Sequence, residues 1–244
     1  MKVAIITSIY GNYDKLTIPA YQNVPSGIEV EFVLVTDPIT WQWNPDGPWR
    51  IVVEPRGWLS PMMAAKVAKA RPDLYTDAEI MIWVDGCLDI THSDFITWML
   101  KNLGDNVLAS TECTCSDDEI LDEANSSKAI PKYAMLPTIE QANHYISLGY
   151  PPNWGSWFGG LIAWRNCTVQ KSIGSRWLTE MMRWGFQDQI SLPYVLWRHG
   201  IRPANVPIPG QRFFYRGHKI QRCPVHLEPI GDGRTCTGCD GGVF

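Results

Sequence analysis

The residues from Ile80 to Val84 are all apolar, and Asp85 and Gly86 follow them at once. A short apolar run that ends in a turn signal is typical of a buried strand in a parallel sheet. Open α/β sheets bind ligands beyond the carboxyl ends of their strands, so Asp85 lies where such folds carry out chemistry. The pattern predicts a sugar-nucleotide or metal-phosphate site. It also fits an ordinary turn, because Asp bonds its own backbone and Gly supplies positive φ.

Length and composition favour one large domain. The chain has 244 residues, of which 45% are hydrophobic, and we expect a main domain over 1–215 with a small appendage over 216–244. The net charge of −4, without a run of Lys or Arg, makes a nucleic-acid partner unexpected. No segment reaches the roughly 18 apolar residues of a membrane span, and the first residues do not resemble a signal peptide. We therefore expect no membrane span and a cytoplasmic location.

Strands and helices alternate along the chain. Apolar and β-branched runs bounded by turn residues predict strands over 3–9, 31–36, 50–53, 80–85, 107–109 and 160–164. Helices are predicted over 61–70, 94–103, 117–125, 139–148, 169–184 and 187–199. Ser60 is the expected N-cap of the first helix, and Pro193 is expected to kink the last helix or delay its start. The alternation predicts an α/β sandwich with a mostly parallel sheet.

The end of the chain carries two pairs of possible metal ligands. Cys223 and His226 form one pair, and Cys236 and Cys239 form the other after nine intervening residues. Such paired turns are typical of tetrahedral zinc sites, and an odd cysteine count without a secretion signal disfavours a disulfide framework. Because four protein ligands close the coordination sphere, we expect a structural Zn²⁺ in the appendage. Free thiols are the alternative.

Several short motifs occur in an order that resembles the GT-A type nucleotide-sugar glycosyltransferases. The motifs span about Lys2 to Ile201, and they are residues 7–14, 32–37, Lys66, 83–86, 149–151 and 187–191. The resemblance implies a GT-A-like, Rossmann-like α/β/α sandwich. It also implies an enzyme that transfers a hexose from a UDP-sugar to an unknown acceptor, assisted by Mn²⁺ or Mg²⁺.

The same resemblance implies roles for residues near the first strands. Thr7, Tyr10 and Tyr13 would hold the nucleoside, since a hydroxyl and aromatic faces suit a uracil. Asp37 would lie beside the base, and Lys66 would approach the diphosphate. The alternatives are simple packing for the two tyrosines and a solvated helix face for the lysine.

The implied cation site departs from the pattern of the family. GT-A enzymes typically bind the cation with an Asp-x-Asp triplet, whereas this chain has Asp85-Gly86-Cys87, and a thiol suits Mg²⁺ and Mn²⁺ poorly. Asp89 would lie about 13 Å from Asp85 in an extended segment, so only a sharp turn at Gly86 could bring the two together. By the same resemblance Asp85, Cys87 and His218 are the candidate ligands, and Lys219 or Arg216 is the candidate diphosphate partner.

The resemblance places the reaction centre at Asp188 and Gln189. Asp188 would bond sugar hydroxyls and Gln189 would lie near the anomeric carbon, which favours retention of configuration. Asp188 could instead be the general base of an inverting enzyme, or simply an acid at a helix N-terminus. The aromatic and glycine-rich loop over 150–160 predicts contacts of Trp157 and Gly160 with the donor sugar or acceptor. A buried aromatic cluster is the alternative for each tryptophan.

Two other classes of protein remain open. A glycoside hydrolase could use Asp85 together with Asp89 or Glu112, because two carboxylates at a suitable separation cleave glycosides. A non-catalytic carbohydrate-binding protein could use some of the 12 tryptophans. A nicotinamide enzyme is unexpected, since no Gly-x-Gly-x-x-Gly follows the first strand.

Overall fold

A computed structural model describes residues 1–40, 47–113 and 120–207, together with the backbone of 214–216. Within these residues the fold is α/β, as predicted, with six α-helices and a sheet of seven strands. The predicted zinc ligands and the residues His218 and Lys219 lie outside the described residues, so these predictions stay open. No helix in the described parts of the chain is both long and apolar enough to cross a lipid bilayer.

The elements alternate along the chain much as the sequence predicts. The strands are β1 (Lys2–Ile9), β2 (Glu29–Thr36), β3 (Trp49–Val53), β4 (Ile80–Val84), β5 (Leu88–Ile90), β6 (Leu108–Glu112), β7 (Trp157–Arg165), β8 (Ala204–Asn205) and β9 (Phe214–Arg216). The helices are α1 (Pro61–Ala70), α2 (Phe95–Leu103), α3 (Ile120–Lys128), α4 (Thr138–Ser147), α5 (Thr168–Trp184) and α6 (Asp188–His199). Short 3₁₀ helices cover Pro72–Leu74 and Pro131–Tyr133.

The main sheet is mostly parallel, with strand order β3-β2-β1-β4-β7-β6-β8. Strands β1, β2, β3 and β4 are parallel to their neighbours among these four, and β6 is parallel to β8. Strand β7 runs antiparallel to both β4 and β6. The carboxyl ends of β1, β2 and β4 therefore meet at one edge, and the first residues of β7 arrive at the same edge from the opposite direction.

Helices cover both faces of the sheet. Ala4 and Ile6 of β1 face a core that includes residues of α1, α5 and α6, whereas Val3 and Ile5 face a second core that includes α2. This alternation is the two-residue period of a strand that is buried on both faces. The result is a three-layer arrangement that leaves the strand ends as the place for a site.

The ends of two helices test the local predictions. Helix α1 begins as predicted, because the Ser60 side chain accepts a hydrogen bond from the Met63 backbone N–H at 3.2 Å and Pro61 is the first helical residue. The expectation of a late start for α6 is wrong, since the helix begins at Asp188 and contains Pro193. Pro193 has no N–H to donate, so the Gln189 carbonyl lacks its usual partner four residues on.

Close contact between α1 and α5 allows a test of the packing behind the site. A Cβ at Gly174 would lie 2.0 Å from the Ala70 carbonyl oxygen, which is backbone and cannot rotate away. We expect Gly174→Ala to lower the free energy of unfolding by about 3 kcal/mol, the upper range for overpacking. Urea unfolding would measure it, with the exposed Lys171→Ala as a control that should change stability by no more than about 0.5 kcal/mol. Equal stability of the wild type and Gly174→Ala would contradict the packing described.

Candidate functional site

A pocket opens at the carboxyl edge of the sheet, where β1 and β4 end and α1 and α6 begin. Its volume of about 150 Å³ is smaller than the roughly 300 Å³ at the low end of small-molecule sites, so it would enclose only part of a nucleotide sugar. Seven of the predicted site residues line it, namely Tyr10, Tyr13, Lys66, Asp85, Cys87, Asp188 and Gln189. The fold thus brings together residues that are far apart in the sequence.

Two lysines and two aspartates form a charged cluster at the base of this pocket. The Lys66 ammonium donates to Asp188 Oδ2 at 2.8 Å. The Lys69 ammonium forms a short ion pair with the same oxygen and lies 3.2 Å from Asp85 Oδ1. The Lys69 side chain is only 1% exposed and that of Asp188 only 4%. Lys69 therefore links the end of β4 to the start of α6 inside the protein.

The lysine pair arises from the periodicity of α1. Residues three apart lie on the same face of a helix, so Lys66 and Lys69 both point toward α6. The turns around Lys69 bury Ala64, Ala68 and Ala70, whose small side chains let the helix lie close to its neighbours. This spacing in an alanine-rich helix is the sequence signal that could have identified Lys69, which the sequence argument missed.

Asp85 is held by neighbours on two strands. The indole N–H of Trp83 donates to Asp85 Oδ1 at 2.7 Å, and the backbone N–H of Asp85 donates to the Gly160 carbonyl at 2.8 Å. Gly160 thus positions Asp85 through its backbone. A Cβ at Gly160 would lie 2.3 Å from the ring of Phe158, which itself lines the pocket. The predicted ligand contact of Gly160 remains a prediction, and its structural contact is with Asp85.

The charges of the cluster perturb one another. Burial opposes ionisation of Asp188, but the ammonium groups of Lys66 and Lys69 outweigh burial and hold the pKa of Asp188 well below its usual range. Burial also opposes the charge of Lys69, yet Asp188 and Asp85 together raise its pKa above the ordinary value. For Lys66 burial dominates, and its pKa is lowered. Lys69 is therefore the more firmly charged of the two lysines.

Aromatic side chains line much of the remaining pocket. They come from the loop after β1, the end of β4, the 3₁₀ helix at 131–133 and the segment before α6, and they are Tyr10, Tyr13, Trp83, Tyr133 and Phe186, with Phe158 from β7. The rings of Tyr133 and Phe186 lie 5.7 Å apart, and the Lys132 ammonium lies 4.6 Å from the Tyr133 ring centre. Burial raises the pKa of both Tyr10 and Tyr133, so each keeps a neutral hydroxyl.

Three residues with predicted ligand contacts lie outside the pocket lining. Asp37 is buried, and its carboxylate accepts hydrogen bonds from the backbone N–H groups of Gly11 at 2.9 Å and Thr40 at 2.8 Å. It therefore shapes the loop after β1. Thr7 is buried within β1 and is not part of the pocket lining. The predicted sugar contact of Trp157 is corrected, because this residue is 2% exposed and packs in the core, which leaves no ring face for a sugar.

The carboxylates near Gly86 are the candidate ligands for a divalent cation in this pocket. A Cβ at Gly86 would lie 3.2 Å from the Cβ of Asp14 and 2.9 Å from the Ile9 side chain, so only glycine lets Asp14 pack against the residue that follows Asp85. Among the described residues no group of three or more His, Cys, Asp or Glu forms a complete metal site. Mg²⁺ is usually held by one or two carboxylates plus substrate phosphates, and Asp14 and Asp85 are carboxylates of the pocket lining that could serve in this way.

Asp89 and Cys87 are less suitable than Asp14 and Asp85 as ligands of a divalent cation. The sharp turn at Gly86 is present, since the Leu88 N–H donates to the Asp85 carbonyl at 2.9 Å, but the Asp89 carboxylate accepts a hydrogen bond from Thr17 at 2.7 Å and is not part of the lining. Cys87 lines the pocket but is a buried, soft ligand. The predicted ligand role of Cys87 stays a prediction, and Asp14 is a further carboxylate of the same pocket lining.

Helix α3 holds the start of α6 in place. The Gln187 side-chain amide donates to Glu123 and to Ser127, each at 2.7 Å. Burial raises the pKa of Glu123, which also lies near the charge of Asp188. Gln187 immediately precedes Asp188, so these contacts fix the helix N-terminus that carries Asp188 and Gln189.

No protein-family model matches this sequence, and no curated protein matches it significantly. The geometry and charge of the pocket are therefore the basis for a functional conclusion.

The low pKa of Asp188 predicts how stability depends on pH. A carboxylate whose folded pKa is depressed stabilises the fold above its unfolded pKa of about 3.9, and this contribution is lost as the pH falls toward the folded value. We expect the free energy of unfolding of the wild type to fall below about pH 4, and to fall less steeply in Asp188→Asn. Urea unfolding across the acid range would measure both slopes.

The exposed carboxylate Asp77, which pairs with Lys2, provides the control. Exposed pairs contribute little, so Asp77→Asn should leave the slope close to that of the wild type. Equal acid slopes for the wild type and Asp188→Asn would show that Asp188 is not held ionised by its lysines.

Proposed function

We propose that this chain is a nucleotide-sugar glycosyltransferase that transfers a hexose from a UDP-sugar to an acceptor, with retention of configuration and assisted by Mn²⁺ or Mg²⁺. One observation carries the proposal: Asp85 at the end of β4 and Asp188 with Gln189 at the start of α6 line the same pocket. These are the residues that the resemblance to GT-A enzymes selects for the diphosphate and the sugar. Their convergence at the carboxyl edge of an α/β sheet supports the assignment.

The charge of the pocket supports a requirement for a cation. The formal charges of three lysines and three aspartates in and directly behind the pocket lining sum to zero. These side chains are Lys66, Lys69, Lys132, Asp14, Asp85 and Asp188. A diphosphate would bring two negative charges into this neutral, partly buried site, where charges interact more strongly than in water. A divalent cation held by Asp14 and Asp85 would neutralise the departing diphosphate as a Lewis acid.

The protonation of Asp188 favours retention over inversion. A general base works best when its pKa lies near the working pH, but the lysines hold the pKa of Asp188 far below that range. Asp188 is therefore a weak base and a permanent anion. It suits the role of accepting hydrogen bonds from sugar hydroxyls, while the neutral amide of Gln189 lies beside it near the reacting carbon.

The aromatic side chains and Lys66 supply the remaining contacts. Tyr10 and Tyr13 follow β1 and offer faces for the nucleoside, and Phe158 and Phe186 offer apolar surface for the C–H face of a sugar. Lys66 lines the pocket and carries the ammonium that can reach a phosphate oxygen. These roles follow from the chemistry of the side chains and their place in the lining.

The pairs of acids predicted for a glycoside hydrolase do not meet in the pocket. Asp89 is bonded to Thr17, and neither it nor Glu112 lines the pocket. A carbohydrate-binding protein without catalysis remains the second candidate, because the aromatic walls would also suit a sugar alone. Response to the nucleotide separates it from a transferase.

Calorimetry with UDP, with and without Mn²⁺, is the first test. We expect UDP to bind in the presence of Mn²⁺ and to bind weakly or not at all without it. A panel of UDP-hexoses screened for hydrolysis would identify the preferred donor. Binding of free sugars without any response to UDP would instead favour the carbohydrate-binding candidate.

Substitution at the reaction centre is the second part of this test. Asp188→Asn should lower kcat for donor hydrolysis by about 100-fold, equivalent to about 2.7 kcal/mol of transition-state stabilisation. UDP should still bind within about threefold of the wild-type affinity, because Asp188 is assigned to the sugar. The exposed Asp105→Asn is the matched control and should retain full activity. Full activity in Asp188→Asn would overturn the assignment of the site.

A further inference from the structure

The buried lysine behind the pocket has a role that the proposed function does not assign. We propose that Lys69 is a positioning residue that fixes the carboxylate of Asp188 relative to Asp85, while Lys66 is the lysine that exchanges its partner for the substrate anion. This inference rests on the proposed function, because it concerns how the same site is held. It assigns different tasks to two lysines that lie one turn apart on α1.

The contacts of Lys69 join two elements that carry the chemistry. Its ammonium pairs with Asp188 at the start of α6 and with Asp85 at the end of β4. The side chain is almost fully buried and does not form part of the pocket lining. Lys69 therefore contacts one oxygen of each carboxylate, Oδ2 of Asp188 and Oδ1 of Asp85, from outside the pocket lining.

Close packing leaves the ammonium of Lys69 little freedom to move. A Cβ at Gly159 would lie 3.1 Å from Lys69 Nζ and 3.3 Å from Asp188 Oδ2, so the ion pair fills the space that a side chain would need. On the other side, Gly174 lets α5 lie against the carbonyl of Ala70, the residue after Lys69. The ring of Trp83 lies 5.7 Å from the ammonium. A group enclosed in this way can set a distance between its two partners.

Lys66 differs from Lys69 in exposure and in partners. Its side chain is 15% exposed, it lines the pocket, and Asp188 is its ion-pair partner. If Lys66 turns toward a phosphate oxygen, Asp188 keeps Lys69 as counter-ion. Without Lys69 the same movement would leave a buried carboxylate uncompensated, which is strongly unfavourable. Lys69 thus makes the movement of Lys66 possible.

Steady-state kinetics with the preferred UDP-hexose separate the two tasks. We expect Lys69→Met to lower kcat by about 100-fold with KM within about threefold, since small misplacement of a reacting group has effects of this size. Lys66→Met should raise KM by about tenfold or more, because it removes a contact with the substrate. Unchanged kcat in Lys69→Met, or a change confined to KM, would overturn the positioning role.

A second variant covers the case in which Lys69→Met does not fold. Gly159→Ala keeps every charge and displaces the ion pair by a few tenths of an ångström, so it should lower kcat about tenfold without changing the affinity for UDP with Mn²⁺. Met99→Ala, in α2 on the opposite face of the sheet, is the control for lost stability and should keep the wild-type kcat. Wild-type kcat in Gly159→Ala would contradict the proposal.

A thermodynamic cycle tests the link between Lys69 and Asp188 without any activity assay. We expect Lys69→Met to lower Tm more in the wild type than in the Asp188→Asn background, because the second change removes the carboxylate that loses its partner. Additive Tm changes would show that the two residues are not coupled and would overturn the proposal. The Tm changes could instead be coupled while the protein neither binds UDP nor turns over any UDP-hexose. That result would overturn the proposed function, and with it the positioning role of Lys69 in catalysis.

Discussion

The buried pairing of Lys69 with two carboxylates is the interaction on which the site depends. Removing an ion from water costs several kcal/mol even after relaxation, so a lysine as enclosed as this one needs its partners in place. Because those partners lie at the end of β4 and the start of α6, the pairing requires α1, the sheet and α6 to dock together. The geometry of the pocket and the integrity of the fold are thus linked through a single ammonium group.

The mixed direction of the sheet explains why the glycines near this cluster lie where they do. The carboxyl ends of β1, β2 and β4 bring the loop after β1, Asp37 and Asp85 to one edge. Strand β7 is antiparallel to β4, so its first residues, not its last, reach that edge. Gly159 and Gly160 therefore lie beside the ion cluster, where one leaves room for the ammonium and the other binds the Asp85 backbone.

The same charges define the chemistry that the pocket suits. Lysines that keep Asp188 ionised make it a poor proton acceptor and a good anchor for hydroxyl groups. They also neutralise the aspartates, so the pocket gains little net attraction for a diphosphate from its own side chains. A cation that arrives with the substrate, held by Asp14 and Asp85, is consistent with that balance. These two properties support the proposed retaining, metal-assisted transfer.

Local patterns in the sequence predicted much of the fold and part of the site. Apolar runs indicated the positions of β1, β2, β3 and β4, and the Ser60-Pro61 pair marked the start of α1 because capping depends on adjacent residues. The order of the motifs that resembles GT-A enzymes selected Asp85, Lys66 and Asp188 as site residues, and all three line the pocket. The sequence did not reveal the full length of β7, whose glycine-rich first residues look like a loop but begin with Trp157 paired to Glu112 of β6.

What the sequence determined by itself was the order of elements and the residue types at the strand and helix ends, since both are set by periodicity and neighbouring residues. Only the tertiary structure decided that Lys69 is an internal counter-ion, that Trp157 belongs to the core and that Asp14 packs on Gly86 in the pocket that Asp85 also lines. Burial and charge pairing depend on which elements pack together, and those contacts join residues that lie far apart along the chain.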